Sequence, residues 1–354
     1  MLGRGVIVIP PTTRSTGPWL DATRAASLQR IANRPIVCHV LDALRAAGAE
    51  EVAVLTPADL IEEIATCIEG DSRLGAGVSY LAYETRAPAA DALHALARFA
   101  DGAPTIVHRA DGLLGQPLGP FLELLEEDSE IVLLVAQGAR NTERLGPAAQ
   151  RMLRVAEFDP ANAGLGMAGV CVLGAGALSD LLCAEGCPEG LELGAVVEWL
   201  IARGTRSQVR VVREWHAFAG EALDLLDMNR AALDGLEQQV SSALQWDGNR
   251  FEGRVYIDAT ASVTSSVICG PVIVGAGAHV ADSYIGPHTS IGERVHVEGA
   301  EIERSIVFAG ASIIHVGGRL VGSVVGREAR VFRDFSMPRA MRLRVGDGDE
   351  VALC

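Results

Sequence analysis

The sequence predicts an α/β domain built on a mainly parallel sheet, followed by a parallel β-helix, and three observations carry that expectation. Short apolar runs alternate with helical periodicities through the first two thirds of the chain, the pattern of buried strands covered by helices. One of these runs, Val6-Ile7-Val8-Ile9, leads into a loop with a helix to follow, and open parallel sheets bind ligands at such strand ends. Towards the C-terminus the pattern changes to aliphatic residues recurring in steps of six, six and five. The expected division is residues 1–244 and residues 245–354.

With 354 residues, the chain is long enough for two separate cores. Hydrophobic residues make up 49% and aromatics 5%, so the interior is expected to be Ala, Val, Leu and Ile. The formal net charge of −15 excludes the basic field that a nucleic-acid or anionic-membrane surface requires. Without a signal-like start or an 18-residue apolar stretch, the reading is a cytoplasmic protein with no membrane partner. Seven scattered cysteines fit reduced thiols. Cys183 and Cys187 lie close together but lack partners at metal-ligand spacing, so they read as structural.

Each element follows in order. Val37, Val40, Leu41, Leu44 and Ala47 share one helix face, and Gly48 suits the C′ position. Residues 52–55 form the next buried strand, which completes a βαβ unit. A helix over 60–67, a strand over 78–82, an alanine-rich helix over 89–100 and a strand over 131–136 continue the alternation, before a helix over 191–202 and a strand over 209–212. Residues 221–244 read as a helical connector through Leu225, Met228, Ala232 and Leu236. Ile257, Val263, Ile268, Val274, Val280, Ile285, Ile291, Val297 and Ile302 then mark coils of seventeen residues, with small residues after several corners, as in Val274-Gly275 and Ile291-Gly292.

The loop after the first strand is chemically odd. Pro10-Pro11-Thr12-Thr13-Arg14 lies where backbone N–H groups would meet phosphates, yet two prolines replace the glycines such a cradle needs and remove two donors. The position is that of a nucleotide site and the composition opposes it.

Several segments resemble the sugar-1-phosphate nucleotidylyltransferases, in particular the long-form glucose-1-phosphate thymidylyltransferases. Ile31-Ala32-Asn33-Arg34-Pro35-Ile36 resembles that family's V-A-N-K-P-I, and residues 41–52 its L-x-x-L-x-x-A-G-I-x-x-V. Leu225-Leu226-Asp227-Met228-Asn229-Arg230 resembles D-L-L-x-A-N-R, and Gly169-Val170-Cys171-Val172-Leu173 resembles G-V-Y-L-F, keeping its G-V. Ile285-Gly286-Pro287-His288-Thr289-Ser290-Ile291-Gly292 resembles the family's left-handed β-helix. The resemblance spans the chain. It implies a Rossmann-like, GT-A-like nucleotide-binding domain with a mixed, mainly parallel sheet, then a left-handed hexapeptide-repeat β-helix. The implied reaction joins a nucleoside triphosphate and a sugar-1-phosphate, with Mg2+ as cofactor.

Carried over residue by residue, the last five positions of the family's G-G-x-G-T-R loop fall on Pro10, Pro11, Thr12, Thr13 and Arg14. Arg14 then stands as the catalytic candidate and the preceding four as nucleotide contacts. Asp111, in His108-Arg109-Ala110-Asp111-Gly112, occupies the aspartate of the family's G-D-N-L and is either a metal carboxylate or a turn residue before Gly112. Glu157 and Gly169 take the sugar-binding positions. Four departures accompany these: the glycine loop is Pro-Pro, the loop lysine is Ala26, the E-K-P lysine is absent after Glu157, and Phe218 replaces the second metal aspartate of G-W-W-x-D-T-G. Glu214 and Asp224 are the nearest alternative ligands. No glycine lies between Tyr80 and Gly102, where the family has P-x-G-x-A, so Pro88 or Ala90 would fill space left for the ligand.

The expectation is a family member whose ancestral activity is impaired or repurposed, with a nucleotide or sugar-phosphate ligand possible. Two other readings stand beside it: a non-catalytic partner, forming a homo-oligomer or assembling with an active paralogue, and an acyltransferase using His279, His288, His296 or His315 of the coils as general base.

Overall fold

The computed structural model describes residues 3–11, 25–71, 77–84, 89–125, 130–137, 142–155, 165–183, 186–188, 191–239 and 248–333. The first part contains strands β1 (Arg4–Val8), β2 (Arg30–Ile31) and β3 (Arg34–Pro35), helix α1 (Ile36–Ala46) and strand β4 (Val52–Pro57). It continues through α2 (Ile61–Glu69), β5 (Val78–Tyr83), α3 (Ala89–Ala100), β6 (Thr105–Arg109), β7 (Gly112–Leu114), α4 (Gly119–Leu122), β8 (Ile131–Gln137) and α5 (Pro147–Val155). After these come β9 (Leu165–Leu173), α6 (Ala175–Leu182), α7 (Leu193–Ala202), β10 (Ser207–Val212), β11 (Trp215–Ala217) and α8 (Ala222–Asp234).

Seven strands form one sheet in the order β10-β8-β9-β6-β1-β4-β5. All neighbours are parallel except β9, which runs antiparallel to both β6 and β8. Alternate side chains on each strand enter two separate cores. Ile7 and Ile9 face α1 and α8 through Val37, Leu41, Leu44, Leu225 and Met228, while Val6 and Val8 face α3, α6 and α7 through Leu93, Leu96, Leu178 and Val197. Both faces are covered, which is why the strands read as continuous apolar runs. Gly48 follows α1 with φ +91°, the conformation that ends a helix without a Cβ penalty.

The second part coils through three parallel sheets of short strands, consistent with a left-handed β-helix. One sheet stacks Arg250–Glu252, Val267–Cys269, Tyr284–Ile285, Glu301–Glu303 and Arg319–Val321; a second stacks Val255–Ile257, Val272–Val274, Thr289–Ile291, Ile306–Val307 and Val324–Val325. The third stacks Ser262–Thr264, His279–Ala281, His296–Glu298, Ser312–Ile314 and Arg330–Phe332. Val263 lies beside Val280, and Val280 beside Val297, so seventeen residues bring the same inward corner round. The turns between sheets place Ser265, Asp282, His288, Arg294, Arg304, His315 and Glu328 at φ between 47° and 58°. These non-glycine residues carry a conformation that L-residues adopt rarely, repeated coil after coil.

The helical connector ends earlier than expected. Helix α8 starts from a capping box between Glu221 and Asp224 and stops at Asp234, before Gly235. The chain then becomes extended, and Gln239 joins the first coil: its N–H donates to Val255 O at 2.9 Å, and Ile257 N–H donates to Gln239 O at 2.8 Å. The unpaired strand edge of the coil outcompetes continued helix here.

Two family-like motifs meet where the parts touch. Ala32 (φ 45°) and Asn33 (φ 63°) form the two-residue turn of the β2–β3 hairpin, both left-handed as a type I′ turn requires. The Asn229 side chain of α8 accepts from Ala32 N–H at 2.8 Å and from the Ser290 hydroxyl at 2.6 Å, and its Nδ2 donates to His288 O at 3.2 Å. Asn33 Nδ2 donates to Ile291 O at 2.7 Å, and Arg30 pairs with Glu293 at 2.9 Å.

Candidate functional site

The C-terminal ends of β1, β5 and β6 lie together, as the parallel register demands, and each presents an altered group. At the end of β1, Ile9 N–H donates to Leu55 O at 2.9 Å; half-buried Pro10 and exposed Pro11 follow and offer no N–H. At the end of β5, the Tyr83 hydroxyl reaches across the sheet and donates to Ile9 O at 2.8 Å. Burial, with Asp59 nearby, pushes the ionisation of that phenol up to about 12, so it stays a neutral donor fixed on the strand end. The residue just before the loop is thus bonded from both sides by protein groups.

At the end of β6, Arg109 and Asp111 face each other. Arg109 Nε donates to Asp111 Oδ1 at 3.1 Å and Nη2 to Oδ2, a two-point clasp, while Nη1 pairs with Glu143. Burial alone would lower the Arg109 guanidinium, but Asp111 and Glu143 hold it above its ordinary range. Glu143 is itself fixed. Its backbone exchanges two hydrogen bonds with Met167 of β9, and its second carboxylate oxygen accepts from Gly194 N–H in the first turn of α7, where the helix dipole favours an anion.

Strand β11 pairs antiparallel with β7, setting Ala217 beside Gly112 and bringing Phe218 next to Asp111, where Phe218 N–H donates to Asp111 O at 2.8 Å. Phe218 is 7% exposed and belongs to the sheet core. Trp215 of the same strand covers two glycines: a Cβ added at Gly112 would lie 2.5 Å from its ring, and one at Gly169 would lie 2.7 Å from the ring and 3.1 Å from Arg109 Cβ. Gly169, carried over as a sugar contact, thus lies directly against this indole. His108 packs against it at 5.7 Å between ring centroids, and its Nδ1 donates to Arg109 O at 2.7 Å. Burial, then the charge of Arg109, lowers the His108 pKa to about 4 and keeps the ring neutral.

A divalent cation at the end of β6 would need open Asp111 oxygens and a second carboxylate at position 218. Neither is present, and among the described residues no group of three His, Cys, Asp or Glu is placed to hold a metal. The donor set does not fit a divalent ion. Of the alternative ligands, Asp224 accepts from Ala219 and Glu221 N–H at the start of α8, and Glu214 is an exposed left-handed turn residue.

Of the expected site residues, the structure brings Pro10, Pro11, Asp111 and Gly169 to this face of the sheet. Thr12, Thr13, Arg14, Glu157 and Pro88 lie outside the described residues. Sequence reasoning missed Arg109 and Glu143. The one available signal was an arginine two residues before Asp111 at the end of a buried strand, which needs a buried partner.

The histidines of the coils have local partners. His288 bonds Asp234 of α8 at 3.0 Å, His296 bonds Glu298 at 3.2 Å, and His279 stacks on His296 with centroids 5.0 Å apart. His315 lies 3.7 Å from Glu298, and the cavity of about 470 Å³ on the coils, lined by Ser283, Tyr284, Glu301 and Arg319 among others, has none of these rings in its lining. No helix among the described residues is long and apolar enough to cross a membrane.

No family model matches the chain. It is 29% identical to the glucose-1-phosphate thymidylyltransferase of Streptomyces griseus over 92% of both chains, and 27% identical to that of Streptomyces antibioticus over 94% of both. It is 24% identical to the low-salt glycan biosynthesis nucleotidyltransferase of Haloferax volcanii, over 99% of this chain and 100% of the relative. A Bacillus anthracis crystal structure described as a glucose-1-phosphate thymidylyltransferase in complex with sucrose superposes with a TM-score of 0.52 at 16% identity, covering 64% of this chain and 93% of that one, a likeness of fold. Two thymidylyltransferases and a third nucleotidyltransferase match nearly end to end, and the sheet-plus-coil architecture is in place, so the chain is similar along its length to sugar-1-phosphate nucleotidylyltransferases.

Proposed function

We propose that this chain is a member of that family that has given up the metal-dependent transfer reaction and keeps the cleft for binding a sugar or nucleotide-sugar. The observation that supports this reading best is Phe218. The framework still delivers position 218 to Asp111, but what arrives is a core phenylalanine in the place of a carboxylate. Nucleotidyl transfer is largely positioning and charge neutralisation, and the loss of one such group typically costs about 3 kcal/mol of transition-state stabilisation. The Pro-Pro loop and Ala26 remove further contacts a triphosphate would use. The Bacillus anthracis structure that shares the fold was solved with sucrose, in keeping with a sugar as the retained ligand.

Pyrophosphate release from each nucleoside triphosphate with sugar-1-phosphates and Mg2+ tests the reading. The expected rate lies at least about a thousandfold below that of an active relative measured alongside, a factor that one or two lost electrostatic contacts supply. Phe218→Asp alone leaves it there, because Arg109 still covers Asp111; turnover comparable to the relative in either protein overturns the proposal. Calorimetric titration with nucleotide sugars and free sugars identifies what is kept.

Assembly with a second copy or with an active paralogue is a second reading, favoured by Val267, Val321 and Phe332, which leave apolar surface exposed on the coils. Light scattering of the purified chain, alone and mixed with an active relative, checks it. A cytoplasmic location and a boundary between residues 244 and 245 belong to the same proposal, and limited proteolysis locates the boundary.

A further inference from the structure

The cluster of Arg109, Asp111 and Glu143 does more than leave a metal site unfit. Arg109 places a permanent positive charge against the same carboxylate that the family resemblance assigns to the cation, and it reaches both Asp111 oxygens in a planar two-point clasp. Its third contact, Glu143, is locked by the backbone exchange with Met167 and by Gly194 N–H, so the guanidinium is held from two directions. Phe218, bonded through its backbone N–H to Asp111 O and buried in the core, brings no carboxylate to the cluster. We propose that Arg109 is a built-in replacement for the divalent cation: the cleft is assembled without metal, and its ligand is a neutral or weakly charged sugar rather than a metal-bound triphosphate. This rests on the family reading of the cleft.

Charge makes the ligand class specific. A divalent ion brings two positive charges and open coordination positions that phosphate oxygens complete. Arg109 brings one positive charge and spends it on two carboxylates, which leaves the cluster with a net charge of about −1. A triphosphate meets repulsion here, while sugar hydroxyls meet carboxylate oxygens and the guanidinium N–H groups that the three bonds leave over.

The test is Mn2+ binding to the full chain, followed by electron paramagnetic resonance of the free ion, in the wild type and in Asp111→Asn, Phe218→Asp, Arg109→Leu and the Arg109→Leu/Phe218→Asp double variant. The wild type is expected to bind Mn2+ no better than Asp111→Asn. Phe218→Asp is expected to gain nothing, because Arg109 still holds Asp111. The double variant, with Asp111 released and a second carboxylate restored, is expected to bind Mn2+ at least about tenfold more tightly than the wild type. A wild-type Mn2+ site weakened by Asp111→Asn overturns the proposal, as does a gain in Phe218→Asp alone or no gain in a folded double variant. Should the double variant fail to fold by circular dichroism, the comparison of wild type with Asp111→Asn decides by itself. Metal-free turnover would refute the proposed function and leave this inference standing; Asp111-dependent Mn2+ binding without turnover would do the reverse.

Discussion

At the joint between sheet and coils, two asparagines bind backbone and hydroxyl groups across chain separations of 59 to 258 residues; at the cleft, the polar groups of the strand ends bind one another. Both regions lie within the same set of family-like motifs. Asn33 and Asn229 sit in the A-N-R-P-I and L-L-D-M-N-R segments, and their amides tie the β2–β3 hairpin, α8 and the second sheet of the coils together. In the cleft the segments around Asp111, Gly169 and Phe218 keep their backbone register, as the Phe218 to Asp111 hydrogen bond shows, while the side chains pair internally or fill space. The comparison teaches that a motif shared with an enzyme family can mark how two domains are fastened rather than what they catalyse.

The largest expected effect breaks the joint. Asn229 is fully buried, and Asn229→Leu leaves the Ala32 N–H and the Ser290 hydroxyl without their acceptor. Each stranded donor costs 1–3 kcal/mol, so the loss is expected at about 4 kcal/mol. Urea unfolding followed by far-ultraviolet circular dichroism measures it, and a loss under about 1 kcal/mol would mean that the amide is not what fastens the parts.

Legibility in the sequence divides along the same line. The helix over 89–100 and the strand at 131 were readable because apolar periodicity reports which face is buried, and the seventeen-residue coil because every turn repeats one inward corner. Phe218 was readable as a departure because the flanking Trp215 and the α8 motif fix the register. Arg109 and Glu143 were not, since they lie thirty-four residues apart in sequence and meet only because β9 antiparallel to β8 carries Met167 to Glu143. Tyr83 was hidden similarly: a strand-end tyrosine reads as ordinary core until its hydroxyl is seen to reach Ile9.

A second prediction sharpens the cleft side of the comparison. His108 is 1% exposed and titrates at about 4 when folded, against an ordinary value near 6.5. Between those values the unfolded chain binds a proton that the folded chain refuses, so stability rises with pH through the window. The contribution is complete above pH 6.5 and is lost as pH falls to 4, by about 3 kcal/mol. Unfolding free energies at half-unit steps from pH 7 to 4 should fall more steeply in the wild type than in His108→Gln, by up to one proton. Parallel slopes would show that the ring beneath Trp215 is already protonated or solvated, and the closed cleft floor would have to be abandoned.

The smallest effect separates what fastens the joint from what merely decorates it. Arg30 and Glu293 bridge the same two parts at 2.9 Å, but their side chains are 32% and 40% exposed. Exposed pairs gain little, because water screens the attraction and ordering two long side chains costs entropy, so the pair is expected to contribute under about 1 kcal/mol. A double-mutant cycle of Arg30→Ala and Glu293→Ala isolates that coupling from the packing each side chain provides. Raising salt to about 1 M should shrink it further, as the screening length drops to about 3 Å, while leaving the Asn229 effect in place. A coupling above about 2 kcal/mol that survives salt would place the fastening in charge instead of in the buried amides, and the contrast between joint and cleft would then rest on ion pairs in both regions.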